Sequence, residues 1–374
     1  MFLLLAEVLN FTKVHEALPA SGLWAFLSHH QSHVLWAGCA LHDLIQPFFS
    51  FLVGVALPFS IASRVAKGES FGVMVFHALR RSLVLVFLGI FLRSMASKQT
   101  YFTFEDTLTQ IGLGYFFLFL LGFRSMKVQV VALGVVLVGY FLAFVFYTAP
   151  AAALDVAQTG VAQDWVHNYT GFAAHWNKNT NLAWAFDRWF LNLFPRESPF
   201  LFNEGGYCTL SFIPTLGTMI LGLIAGGKLK RDEPQLNKLR FFLVVGVGLL
   251  ALGGLLHFSG VCPVVKRIWT PAWTIFSGGW CFLLLALFYG LVDYFQTKGW
   301  YFFFMVSGAN SIAAYLMVWT LEGFIGSSLS IHLGGHYSEV FGAAYSTLVT
   351  GGLTIFLEWL ILYWMYRKRI YLKI

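Results

Sequence analysis

The sequence predicts an all-α protein, a polytopic transmembrane helical bundle, and three observations carry that reading. Of its 374 residues, 58% are hydrophobic and only 11% are charged, against about 25% charged residues in soluble globular chains. The mean hydropathy is +0.71. The apolar residues gather into separate runs of roughly 20, the length that crosses a bilayer as a helix. The alternating segments of about ten residues that build membrane barrels are absent from the pattern.

In chain order the runs fall at 44–63, 78–97, 107–123, 128–148, 207–227, 239–258, 272–294, 300–324 and 340–365, which makes nine full spans. The apolar start from Met1 to Phe11 is too short to cross alone and reads as a truncated first span. We read residues 1–374 as one transmembrane domain, with a single large non-cytoplasmic loop at 149–206. Four cysteines, Cys39, Cys208, Cys262 and Cys281, lie far apart without CxxC spacing, which argues against a disulfide framework or a zinc site.

Lysine and arginine set the direction. Alternate loops hold sixteen of the 24, among them Arg64, Arg80, Arg81, Arg124, Lys228, Lys298, Arg367 and Lys373, and the other loops hold eight. The richer set belongs in the cytoplasm together with the C-terminus. The net charge of +7 is therefore a matter of membrane orientation, not of nucleic-acid binding. Ten of the eleven histidines then fall outside or at outer helix ends; His77 is the exception. The outer loop is rich in Trp and Asn (Trp165, Trp176, Asn177, Asn179, Asn181, Trp184, Trp189). That composition suits sugar binding and an interfacial aromatic belt equally. Asp187-Arg188-Trp189-Phe190-Leu191 reads as a short interfacial helix.

The segment from Ser32 to Asp43 places His33, His42 and Asp43 at the mouth of the span that begins at Leu44, where bare polar groups are costly. Histidine titrates near neutral pH and suits a general base, and a neighbouring carboxylate can orient it and stabilise its cation. His33 and His42 compete for that role on spacing alone. The plainer alternative has Asp43 capping the span, with Pro47 fitting a first helical turn. Gln110, in Thr107-Leu108-Thr109-Gln110-Ile111-Gly112-Leu113-Gly114-Tyr115, is an amide inside an apolar run and faces a partner or a cavity, while its glycines permit close helix approach. Asn310 and Ser311 near mid-span either bridge helices or line a cavity. Arg80 and Arg81 satisfy the orientation rule and suit phosphates as well. Walker, GxGxxG, HExxH and other metal spacings are absent, so no metal is expected; Asn168-Tyr169-Thr170 matches a glycosylation sequon.

These residues also carry a resemblance. Residues 33–58, His-x-x-Trp-x-Gly-x-x-x-x-Asp-Leu-Ile-x-Pro-Phe-Phe-x-Phe-x-Val-Gly-Val-Ala-x-Pro, resemble the signature of the heparan-α-glucosaminide N-acetyltransferase family of transmembrane acyltransferases, which includes uncharacterised bacterial members. Further similarities follow in order at Arg81-Ser82, Leu108 to Gly112, Asp187-Arg188, Leu221 to Lys228 and Gly308 to Tyr315. The resemblance implies transfer of acetyl from cytoplasmic acetyl-CoA, a co-substrate, to an amino sugar or envelope glycan on the far side. It matches the family's essential histidine to His33 rather than His42, and its aspartate to Asp43. It implies that Arg81 lies near the CoA head and that Gln110, Asn310 and Tyr315 line the path.

The chain departs from the family pattern in three places. The chain opens at Met1-Phe2-Leu3 inside the helix that an Arg-x-x-Ser-x-Asp-x-x-Arg-Gly-type motif starts in family members, with truncation and true loss both open; Val318-Trp319 stand where the vertebrate enzyme has a His-Glu pair; and the outer loop differs in length and sequence. The expected function is an acetyl-CoA-dependent membrane acyltransferase in a bacterial inner membrane, with His33 as base or as acyl carrier. The competing expectation is a transporter or a glycan- or lipid-binding membrane protein without covalent chemistry. The bilayer is the expected partner in either case, and a homodimer is left open.

Overall fold

A computed structural model describes residues 1–148, 155–297 and 299–372. Residues 149–154 of the outer loop, and Lys298 and Lys373 of the charge count, lie outside the described residues. Among the described residues the secondary structure is helical throughout, with one isolated backbone bridge between Ala37 and Val265. Among the described residues, seven helices are long and apolar enough to cross a bilayer, and a bent pair raises the number to eight if it counts as one span. The chain is an integral membrane protein by this measure. It divides into two compact units.

The first unit comprises Met1–Val34, Cys39–Ile45 and Gln296–Ile374. It holds α1 (Phe2–Leu5), α2 (Phe11–Ala17), α3 (Gly22–Gln31), and, near the C-terminus, helices that the fold sets around them. The expected apolar start is not one straight helix. Asn10 takes a left-handed conformation, φ 48°, and its side chain caps α2 by accepting from Lys13 N, which separates α2 from the turns before it.

The second unit comprises Leu35–Gly38 and Gln46–Phe295. Its helices are α4 (Ile45–Ala66, entering from Ile45), α5 (Phe71–Ser94), α6 (Thr107–Leu121), α7 (Met126–Val145), the short loop helices α8 (Val156–Thr159) and α9 (Leu182–Phe190), then α10 (Phe212–Lys230), α11 (Gln235–Phe258) and α12 (Pro271–Tyr289). The helix α10 is the axis of this unit and is buried over most of its length. Its glycines explain why: a Cβ on Gly222 would strike the Phe51 carbonyl of α4, and one on Gly226 the Val55 carbonyl. Small residues at a four-residue spacing thus bring the two backbones together, as membrane helices require when lipid gives no hydrophobic drive to association. Gly112 does the same for α6, where an added Cβ would lie 2.8 Å from the Ser82 carbonyl of α5. The expected span at 107–123 is only 15 residues long as α6, because Asp106 caps it with one oxygen on Leu108 N and Thr109 N and Gly122 closes it.

The remaining four helices of the first unit are α13 (Phe302–Ala309), α14 (Ser311–Thr320), α15 (Glu322–Leu333) and α16 (Ser346–Arg367). Sequence predicts one span over 300–324. Instead α13 and α14 meet at an 80° bend at Asn310. The physical reason is a long-range contact: the Asn310 amide donates to Ile370 O at 2.9 Å and its oxygen accepts from Leu372 N at 3.0 Å, so the side chain holds the tail beyond α16 at the break. Val306, Ala314, Met317 and Leu362 close the core of this unit around Leu5.

Candidate functional site

The chemistry-bearing residues of the mouth segment come together in the first unit. His33 Nδ1 and Asp43 Oδ1 are 2.8 Å apart. The Asp43 carboxylate is 1% exposed and the His33 imidazole 37%, so a fixed acceptor holds a reachable ring. The second carboxylate oxygen accepts from Ala40 N at 3.0 Å and Val34 N at 3.3 Å. One oxygen faces the imidazole, and the other holds the backbone ahead of a 3₁₀ turn whose N-cap position is Ala40, so Asp43 is not the N-cap of the span expected to begin at Leu44. The local sequence makes this happen through a 3₁₀ turn, Leu41–Leu44, in which the third residue reaches back to the backbone N–H ahead of the turn.

An imidazole that donates from Nδ1 to a carboxylate carries its lone pair on Nε2. This tautomer is assigned from the hydrogen-bond pattern. The arrangement makes Nε2 the basic nitrogen and places a negative charge where it stabilises the imidazolium. His42, the rival, is buried, with its ring 4.6 Å from that of His33, and its Nε2 lies 3.7 Å from Glu7 Oε2. Two imidazoles and two carboxylates therefore sit in one cluster. Glu7 escaped sequence reasoning because it lies 35 residues from His42, with no motif to join them.

Asn310 is buried at the helix bend, and Tyr315 is buried on α14, both in the first unit. Sequence reasoning also passed over Glu358, a single carboxylate in the apolar run of α16. It is fully buried, and among the described residues neither of its oxygens has a hydrogen-bond partner. Ionisable groups inside spans are costly and are candidates for function on that ground. The readable signal was the lone charge in 340–365.

Arg81 and Gln110 belong to the second unit. The Arg81 guanidinium lies 4.6 Å from the Tyr115 ring centre and donates from one terminal nitrogen to the Tyr115 hydroxyl at 3.3 Å. Among the described residues its buried Nε has no acceptor. The Gln110 amide nitrogen donates to Phe104 O at 2.7 Å and Thr209 O at 3.2 Å, while its oxygen accepts from the Thr215 hydroxyl at 3.4 Å. It ties the start of α6 to the segment before α10.

The amides and aromatics of the outer loop serve each other. Asn177 pairs with both backbone groups of Tyr169, Asn179 donates to Thr159 O and Asn203 O, and Asn181 caps α9. Trp176 is fully buried and stacks on Phe144 at 5.0 Å, and Trp36 Nε1 donates to Trp176 O. Trp189 alone of the predicted tryptophans on α9 is largely exposed, at 61%. Buried N–H groups need partners, and here the loop supplies its own. Asp187, named in the motif comparison, is buried on α9 and accepts from Thr209 N at 2.9 Å. Burial pushes its carboxyl up to about 7 against the pull of the Thr209 hydrogen bonds, with Glu105 adding to the rise.

Fold and site together define a helical membrane protein with an oriented His–Asp pair. No protein-family model matches the chain, and no curated protein sequence matches it.

Proposed function

We propose that the chain is a membrane-bound acyltransferase that moves an acetyl group from acetyl-CoA to an amino sugar or glycan. The observation that carries this reading is the 2.8 Å pair of His33 and Asp43, with the carboxylate buried and fully hydrogen-bonded and the imidazole reachable. In this reading Nε2 of His33 takes the proton from the acceptor amine or hydroxyl as that atom attacks the thioester carbonyl. The carbon–sulfur bond breaks, CoA leaves as thiolate, and the imidazolium returns the proton to it. Asp43 stabilises the cation between the two transfers. An acetyl-histidine route uses the same nitrogen as nucleophile.

The nine-span topology, with the C-terminus cytoplasmic and the mouth segment outside, belongs to this proposal; the span number rests on the apolar runs and the orientation on the charge distribution. Arg81 is the residue best fitted to a CoA phosphate, since its Nε lacks an acceptor among the described residues and guanidinium forks suit phosphate. Gln110, Asn310 and Tyr315 complete the expected CoA-lining set; the amides of the first two already hold backbone carbonyls. The motif similarity of residues 33–58 to the heparan-α-glucosaminide N-acetyltransferase family supports the reading.

A second reading is favoured by one observation, the 80° break at Asn310, because discontinuous helices mark substrate sites in transporters. Against it, the tail contacts of Asn310 account for the break without a substrate. The experiment presents membranes containing the protein with labelled acetyl-CoA and a panel of amino sugars. The acyltransferase reading expects label in a sugar; sugar uptake into sealed vesicles without acetyl-CoA, and no labelled product, would favour transport.

A further inference from the structure

Within the second unit, α6, α7 and α10 end around a cavity of about 190 Å³ lined by Pro58, Arg124, Met126, Gln129, Lys228 and Arg231 among others. That volume holds several waters at about 30 Å³ each. Three cations line it. Among the described residues, the acid bonded to them is Glu233, which accepts from Lys228 Nζ and lies 3.5 Å from Arg231. The Lys228 hydrogen bond holds the Glu233 carboxyl below the usual carboxylate range, with the side chain 26% exposed. The guanidinium of Arg124 has no carboxylate partner among the described residues.

A second source of positive potential meets the same space. The 20-residue helix α7 begins there at Met126, and its N-cap Ser125 makes no side-chain cap, so the first-turn N–H groups of α7 are left for another acceptor. Arg231 reaches the Met126 sulfur at 3.6 Å, which places that guanidinium at the helix start. Positive-inside orientation accounts for basic residues near these helix ends. It does not require them to converge on a cavity at an uncapped helix start, nor two of them to clamp a carboxylate.

We propose that this cavity is a phosphate-binding site, taking a phosphate monoester or diphosphate group, and that Glu233 is an internal anion which the ligand displaces. Two sources carry that chemistry, a soluble nucleotide-like cofactor and an anionic lipid headgroup. The proposal stands on the cavity and is independent of the His33–Asp43 reaction.

The test uses the full chain purified into phosphatidylcholine nanodiscs. Binding of CoA and of inorganic phosphate is measured by calorimetry, and that of phosphatidylglycerol by native mass spectrometry. We expect at least one probe to bind, Arg124→Gln to weaken it at least tenfold, and Glu233→Gln to tighten it. Affinity should fall as salt rises. Binding of CoA or phosphate identifies a soluble ligand, and binding of phosphatidylglycerol alone a lipid headgroup. Failure of all three probes, or binding indifferent to Arg124→Gln in a variant that keeps the wild-type melting temperature, overturns the site. Should Arg124→Gln melt early, Arg231→Gln replaces it with the same expectations. Weaker binding in Glu233→Gln overturns the displacement.

Discussion

Asp43 is the residue on which the site turns, because its two oxygens do different work. One holds the His33 tautomer; the other accepts two backbone N–H groups at 3.0 and 3.3 Å. Asp43→Asn would turn an amide N–H₂ towards one of those donors and remove the charge that supports the imidazolium. We expect a loss of about 1–3 kcal/mol in stability from the unsatisfied groups. We also expect a 10²–10⁴-fold fall in acetyl-transfer rate, roughly the worth of positioned acid–base catalysis. Melting and kinetics on the same preparation check both. This pair was legible because its members lie ten residues apart in one segment and spacing proposed the partnership. Spacing did not choose between His33 and His42, and the partner of His42, Glu7, was hidden by its distance along the chain. Asp187 supplies a pH dependence. With its folded value near 7 and an ordinary value near 3.8, the folded state binds the extra proton between those limits. Stability therefore falls as pH rises from about 4 to 7 and is flat above, by an amount on the order of a few kcal/mol. Asp187→Asn keeps an acceptor for Thr209 N and should melt with a flatter pH profile over that window. A wild-type melting temperature that rises between pH 5 and 7 relative to the variant would contradict the assignment.

Among the elements, α4 and α10 have the closest fit, since Gly54 and Gly222 let each backbone lie against the other's carbonyls. Gly222→Ala should cost about 1–3 kcal/mol or more, because the backbone itself must shift to admit one methyl group. Gly227→Ala, one residue beyond the contact with open space around it, serves as the control and should melt like wild type. Equal melting of all three proteins in detergent would show that the helices do not touch as described. Most spans were legible as apolar runs because lipid imposes their length. The exceptions are physical as well. Apolar residues continue on both sides of Asn310, so nothing local announces the bend; its cause is a tail some 60 residues further on. The outer-loop tryptophans and asparagines read as a sugar platform or belt because composition does not show which N–H groups will be satisfied internally.

For the whole molecule, topology can be tested through its cysteines. Of the four, Cys208, Cys262 and Cys281 are buried and only Cys39, in the mouth segment, is partly accessible. A membrane-impermeant maleimide added to intact cells should label Cys39 and should not label Cys39→Ser, and a C-terminal tag should be reached only after lysis. Labelling confined to lysed cells would reverse the orientation. Acetyl transfer is the central claim, and the most direct measurement compares wild type with His33→Ala, matched in amount and melting temperature, in transfer from labelled acetyl-CoA. The account predicts product with wild type and none above background with His33→Ala. Equal product from both would contradict it.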